Sequence, residues 1–286
     1  MLTIKAYAKI NLALDVLYKR PDSYHEVVMI MQAISLCDTV TLTSQPAGID
    51  LSVNIPALAA DTSNLAYRAA ALLREYTQTD QGVRICLEKH IPLAAGLAGG
   101  SADAAAVLKG LNQLWELNLS LDKLSMLAAK LGSDVPFCLY NGTMLATGRG
   151  EILEALPPLP HCYVVLAKPA IEVSTAWVYG KFNASKDRHH PDIAAMRESL
   201  VNSSLPGVAR HLANVLESVT IPAHPEILKI KEYMLEYGAM AALMSGSGPT
   251  VFGLAEGLAQ AELIADRLRS HGVQKVFVAE TMSKVE

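Results

Sequence analysis

The chain has 286 residues, 51% of them hydrophobic, enough to build one large domain or two ordinary ones and too many for a disordered chain. Its 24 Lys and Arg against 28 Asp and Glu give a formal net charge of −4. With no basic cluster, that balance argues against nucleic acid or an anionic membrane as the main partner and leaves a small ligand as the starting expectation. Cys37, Cys86, Cys138 and Cys162 lie far apart, with no CxxC pair and no zinc-type spacing with histidine, so they read as reduced core cysteines.

In chain order, the opening MLTIKAYAKINLAL shows no basic leader followed by an apolar segment, so no export signal is expected and a cytoplasmic location is the default. Residues 4–16 alternate with period two. That pattern predicts a strand burying Ile4, Ala6, Ala8, Ile10, Leu12, Leu14 and Val16 and leaving Lys5, Tyr7, Lys9, Asn11 and Asp15 on an open face. After the turn-like RPDSYHE, strands are expected over 27–35 and 39–43. DTSNLAYRAAALLREY offers a capping serine, Ser63, and a helical apolar period, and GVRICLEKHIPL reads as a strand with its exit.

PLAAGLAGGSADAAA at 92–106 then passes from a glycine-broken loop into an alanine-rich helix, with Ser101 as the expected N-cap. Ser120 should cap a second helix that ends at Gly132, and SDVPFCLYNG should leave it through an irregular piece. LPPLP at 156–160 is the expected domain boundary. Beyond it come a strand (CYVVLAKP), a helical run through Tyr237, two strands (AMAALM and TVFGLA) joined by SGSGP, a helix over 256–270 and a closing strand (VQKVFVAE). The order β, helices, β, β, α, β is that of a split βαβ arrangement. The uncharged stretch 238–255 is broken by glycine, proline and serine, which suits strands better than a membrane span.

Gly96, Gly99 and Gly100 stand directly before a helix. Absent side chains let a backbone approach a ligand, and the first turn of a helix offers unpaired N–H groups at the positive end of its dipole. The join therefore reads either as a phosphate cradle or as a tightly packed helix entry. It is neither a Walker A loop nor G-x-G-x-x-G. Lys9 and Asn11 share a strand face, and Asp134 lies just past a helix end. Phosphoryl transfer to an alcohol needs donors around the phosphates, a cation near the developing charge and a carboxylate to take the hydroxyl proton. Taken singly, Lys9 could equally be a solvated edge charge and Asp134 a turn residue. HEVVM at 25–29 lacks the second histidine of H-E-x-x-H, which removes a zinc hydrolase.

AYAKINLALDV, RPDSYHE, PLAAGLAGGSADAAA, LGSDVPFCL, GRGE at 148–151 and MSGSGPTVFG at 244–253 together resemble, in that order and over both halves of the chain, the galactokinase, homoserine kinase, mevalonate kinase and phosphomevalonate kinase superfamily. AKINL with YHE and GSDVPF resembles the branch that acts on a cytidine diphosphate of methylerythritol. The resemblance implies an α+β two-domain small-molecule kinase fold. Residues 1–156 would resemble ribosomal protein S5 domain 2, residues 161–286 would be ferredoxin-like, and the active site would lie between them.

The activity it implies is ATP-dependent phosphorylation of the 2-hydroxyl of that acceptor, in non-mevalonate isoprenoid precursor synthesis. Lys9 and Asp134 would be the catalytic pair. Asn11 would bind the methylerythritol part, and Tyr24, His25 and Tyr179 the cytosine. Pro92, Ala95, Gly96, Leu97, Ala98, Gly99, Gly100, Ser101 and Asp103 would surround the ATP phosphates, with Asn64 and Lys89 near adenine. Mg²⁺ is expected to arrive with ATP, its protein ligands unassigned. The SGSGPT segment is expected to be a structural turn beside the site rather than a phosphate cradle. The chain departs from the pattern at Ser23, Ala94, Ala95 and Ala98, where glycine is frequent, and an alanine held in left-handed geometry costs about 1–2 kcal/mol. Rival readings are a sibling such as a homoserine kinase, whose acceptor lacks a base, and a ligand sensor that has lost turnover.

Overall fold

The computed structural model describes residues 1–182 and 190–283. Two long strands open the chain, β1 (Leu2–Lys19) and β2 (His25–Gln45), followed by β3 (Ile49–Val53), α1 (Leu65–Thr77), β4 (Gly82–Glu88), α2 (Gly99–Leu114), α3 (Leu121–Leu131) and α4 (Val135–Tyr140). Next come β5 (Thr143–Thr147), β6 (Ile152–Ala155), β7 (Tyr163–Lys168), α5 (Thr175–Lys181), α6 (Ile193–Val201), α7 (Leu205–Arg210) and β8 (Ala213–Asn214). The chain closes with α8 (Glu217–Ala223), α9 (Glu226–Glu236), β9 (Ala241–Met244), β10 (Val251–Ala255), α10 (Leu258–Ser270) and β11 (Lys275–Glu280).

Packing divides these elements into two compact units that interleave along the sequence: residues 1–8, 37–91 and 98–140 form the first, and residues 9–36, 92–97 and 141–286 the second. This division differs from a linear one at LPPLP. That segment belongs to the second unit, where the Leu156 and Leu159 amides bond to the carbonyl and hydroxyl of Thr143.

In the first unit β4 lies between β3, in parallel, and the last residues of β2, antiparallel from Thr39↔Glu88 to Gln45↔Gly82. Val83, Ile85 and Leu87 on one face of β4 are fully buried while Arg84, Cys86 and Glu88 on the other are exposed, the alternation of a strand with one wet face. α2 packs against α1, α3 and α4. Its run of buried alanines keeps the helix close to its neighbours, and at Gly110 a Cβ would overlap the side chains of Ile4 and Leu42. Ser120 caps α3 by accepting the Lys123 N–H at 3.3 Å, and Gly132 ends it.

The second unit holds an antiparallel sheet of order β11-β7-β10-β9. With α9 on β9 and β10, and α10 on β7 and β11, this is the ferredoxin-like arrangement expected from the order of elements. In the same unit β5 pairs with β2 and β6, and β8 runs parallel to β1 at Ala13↔Ala213 and Leu14↔Asn214.

Several local expectations change. β2 is one continuous strand where two were expected. α1 is capped by Asn64, not Ser63, because the Ser63 hydroxyl is bonded to Asp61 while Asn64 Oδ1 accepts the Ala66 N–H. α2 starts two residues before Ser101, with Ala98 at the cap in left-handed geometry and no side-chain cap. Residues after Asp134 form the short helix α4 rather than an irregular exit. Cys86 is exposed, on the wet face of β4. Lys9, Asn11 and Asp15, expected on an open strand face, are buried.

Candidate active site

In the second unit the glycine loop and β1 are joined by backbone and side chain. The Lys9 amide donates to Leu97 O at 3.1 Å. The Lys9 ammonium, only 4% exposed, donates to Asn11 Oδ1 at 2.6 Å and to Gly96 O at 3.0 Å. Ser245 Oγ donates to the same Gly96 carbonyl at 3.0 Å. Gly96 has φ +72°, and a Cβ there would overlap the carbonyl oxygen of Ser245. Glycine is therefore needed twice over, for the left-handed backbone and for space. The SGSGP turn that supplies Ser245 is held by Asn214, whose Nδ2 donates to Met244 O and Gly246 O, each at 2.8 Å. Its contacts are those of a structural turn against the loop. Ser245 and Asn214 escaped sequence reasoning; the serine stood in a quoted motif, while the asparagine had no local signal.

Ala94 and Ala98 sit at φ +49° and +57°, so two of the three loop alanines occupy the left-handed region, at a cost of about 1–2 kcal/mol each. Ala95 does not. Ser23, in the turn where the Arg20 N–H meets Tyr24 O at 2.8 Å, has φ +68°.

In the first unit the Ala102 N–H makes the bond back to Ala98 O at 2.9 Å. The amides of Gly99, Gly100 and Ser101 precede it and have no acceptor within the helix, the arrangement that suits an anion. Behind this turn is a buried ionic triad. Lys89 Nζ contacts Asp38 Oδ2 and, at 2.5 Å, Asp103 Oδ2. Asp38 Oδ1 accepts the His90 and Ile91 amides at 2.5 and 2.8 Å, whereas Asp103 Oδ1 is buried with no partner. The Asp103 carboxylate thus turns inward to Lys89. Burial pushes it up to about 7, against the pull of Lys89. The Lys89 ammonium and the Asn64 side chain are both engaged within the protein, the latter by capping α1 and by donating to Ala59 O at 2.8 Å. Asp38 was not foreseen; its signal is a lone carboxylate in the apolar run of β2.

Asp134 directly precedes α4, where its carbonyl accepts the Cys138 N–H at 3.2 Å, and it is half-buried. It belongs to the first unit and Lys9 to the second.

Tyr24, His25 and Tyr179 all lie in the second unit. The His25 and Tyr179 rings are 5.3 Å apart, tilted by 43°. Tyr24 is 53% exposed, with the Arg149 guanidinium 4.9 Å above its ring. Arg149 is braced by Glu151, and Glu26 takes both Arg20 Nη1 at 2.5 Å and the Gly148 N–H at 3.1 Å. The GRGE segment is thereby pinned to the start of β2, which His25 opens directly after Tyr24. Burial first, then Lys19, holds the His25 imidazole below its ordinary pKa, which favours the neutral ring. Arg149 was not anticipated as part of this cluster, although a cation between two glycines in a quoted motif was its signal.

Amides at the first turn of α2 and a cluster of aromatic rings are features that a small-molecule phosphotransferase can use, and comparison with known proteins gives that class. Residues 64–142 match the GHMP kinases N terminal domain and residues 193–274 the GHMP kinases C terminal domain. The chain belongs to the GHMP kinases. It is 53% identical over 270 residues, 94% of this chain and 93% of the relative, to a Geobacillus kaustophilus protein named 4-diphosphocytidyl-2-C-methyl-D-erythritol kinase. A Listeria monocytogenes protein of the same name is 48% identical over 286 residues, covering 100% of this chain and 97% of its own. A crystal structure of 4-(cytidine 5'-diphospho)-2C-methyl-D-erythritol kinase superposes with a TM-score of 0.84 at 35% identity, covering 98% of this chain and 99% of that one.

Proposed function

We infer that the chain is an ATP-dependent kinase that phosphorylates the 2-hydroxyl of 4-diphosphocytidyl-2-C-methyl-D-erythritol, a step in non-mevalonate isoprenoid precursor synthesis. The observation that carries the acceptor is identity of 53% across 93% of a relative bearing that name. The Tyr24, His25 and Tyr179 rings fit it, since they offer the stacking faces and edge hydrogen bonds that a cytosine uses and that homoserine or mevalonate would leave idle. At the family level the chain reads as domains 1–156 and 161–286, and the two family matches fall inside them.

Asp134 takes the proton from the acceptor hydroxyl, and Lys9 offsets the charge that grows on the reacting oxygen. Lys9 is held ready for this by Gly96 O and Asn11 Oδ1. Asn11 serves the methylerythritol hydroxyls. The backbone from Pro92 through Ala95, Gly96, Leu97 and Ala98, with the amides of Gly99, Gly100 and Ser101, wraps the ATP phosphates, and Asn64 and Lys89 form walls near adenine. Asp103, on the first turns of α2, completes that phosphate-binding set. Among the described residues no three His, Cys, Asp or Glu side chains group as a metal cage, which fits a Mg²⁺ carried in by ATP and completed by one or two protein oxygens. That Mg²⁺ would neutralise phosphate charge. No helix of the described residues is long and apolar enough to cross a membrane, and we place the protein in the cytoplasm.

The test is transfer of label from [γ-³²P]ATP to a panel of acceptors with Mg²⁺. The cytidine compound should be labelled in preference to homoserine and mevalonate. Labelling of a sibling acceptor instead would overturn the acceptor assignment, and no transfer to any of them would leave a sensor.

A further inference from the structure

Two carboxylates and one ammonium are buried together at the base of the glycine loop, and Lys89, Asp38 and Asp103 are each at most 5% exposed. Fully ionised, the group carries one uncompensated negative charge out of water, an arrangement that is costly unless a proton neutralises it. Donor geometry decides where that proton goes. Asp38 receives three donors, from the His90 amide, the Ile91 amide and Lys89. Asp103 receives one, from Lys89, and its Oδ1 has none. Among the described residues the charges acting on Asp103 are Lys89 from the exit of β4 and Asp38 from β2. The helices packed on α2 turn apolar side chains inward: Ala66, Ala69, Ala70 and Leu73 from α1, Leu124, Leu127 and Ala128 from α3, and Val135 and Phe137 from α4, which also buries the Cys138 thiol.

The triad is placed to act on the first turn of α2. Asp103 stands on that helix four residues after Gly99, and Lys89 Nζ lies 3.5 Å from where a Gly99 Cβ would be. Asp38 meanwhile ties down His90 and Ile91, which lead into the loop.

We propose that Asp103, with Lys89 and Asp38, is a proton-linked positioning unit at the first turn of α2: nucleotide phosphate docking on the amides of Gly99, Gly100 and Ser101 is coupled to proton uptake from solvent at Asp103 Oδ1. An ionised Asp103 opposes the incoming phosphates, and a protonated one does not. This rests on the assignment of that turn to ATP.

The experiment is calorimetric binding of MgADP to the intact protein at pH 7.5, in buffers of different ionisation enthalpy, with Kd then followed from pH 6.5 to 8.5. MgADP itself takes up no proton at pH 7.5. The wild type should take up a fraction of a proton, and its Kd should weaken about three- to tenfold over that range, the scale of one like charge in a partly screened site. Asp103→Asn, checked for folding by its melting transition, should bind with no proton uptake and a flat Kd. Zero uptake by the wild type, which needs no variant, or the same pH slope in both proteins, overturns the proposal. Absence of saturable MgADP binding at any pH would overturn the nucleotide assignment as well, and is distinguished by that.

Discussion

Gly96→Ala is the sharpest structural perturbation at the loop. At φ +72° an L-residue is strained, by about 1–2 kcal/mol. The new methyl would also overlap Ser245 O and come within 3.1 Å of Gly248 O, both backbone atoms held in a turn, and forcing a group into such a contact typically costs about 1–3 kcal/mol. Together the loss should be roughly 2–5 kcal/mol, a large share of a stability of about 5–15 kcal/mol. The same displacement would pull the Gly96 carbonyl from Lys9 Nζ and Ser245 Oγ, so kcat should fall even in the folded fraction. Urea denaturation should show a lower midpoint at unchanged slope. Gly100→Ala is the control. Its φ is not in the left-handed region and a Cβ would meet only Leu65 Cδ1, at 3.5 Å, so stability should stay level or rise by up to about 1 kcal/mol. A Gly96→Ala protein within about 0.5 kcal/mol of wild type, the size of an ordinary surface substitution, would refute this account of the loop.

Ala98→Gly should leave stability unchanged or raise it by up to about 1 kcal/mol, because relief of left-handed strain slightly exceeds the greater chain entropy of glycine; a thermal melt shows it, and clear destabilisation would contradict the φ of +57°. Tyr24→Ala should raise KM for the cytidine acceptor by roughly 5- to 150-fold, the range of one lost stacking contact, with kcat within about threefold by steady-state assay. Stability against pH should carry the sign of Asp103. Its folded value of about 7 lies above the ordinary 3.8, so the folded state holds the extra proton and the wild type loses stability from about pH 4 to pH 7, then levels off. Asp103→Asn should lack that decline in denaturant titrations across the range.

Elements with a strong local signal were legible in the sequence. The period of β4, the Ser120 cap and Gly132 stop of α3, and the strand and helix order that yields the β11-β7-β10-β9 sheet all follow from spacing or turn chemistry. Where it failed, two local signals competed or the decisive contact was distant in sequence. Ser63 and Asn64 are both good caps, and only the pull of Asp61 on Ser63 decides between them. Ser101 looked like a cap because alanine is a poor one, yet Ala98 takes the position in a backbone the sequence disfavours. β1 read as half-open because nothing in residues 4–16 shows that the Gly96 loop will cover Lys9. The loop itself was legible from its glycines. The pairing of Lys89 with Asp38 and Asp103, 51 and 14 residues away, was not.

The central claim, that Lys9 and Asp134 move a phosphoryl group onto a cytidine-bearing alcohol, is tested most directly by single-turnover rapid quench at saturating MgATP and acceptor, comparing wild type with Asp134→Asn. The substitution keeps shape and one oxygen and removes the proton acceptor. Transfer should slow by about 10²–10⁴, the usual weight of general-base catalysis, while both ligands bind within about tenfold of wild type. Lys9→Met should behave alike, and the double variant should lose far less than the product of the two losses, the non-additivity expected of two groups acting as one unit. An Asp134→Asn protein that transfers at near the wild-type rate would contradict the claim.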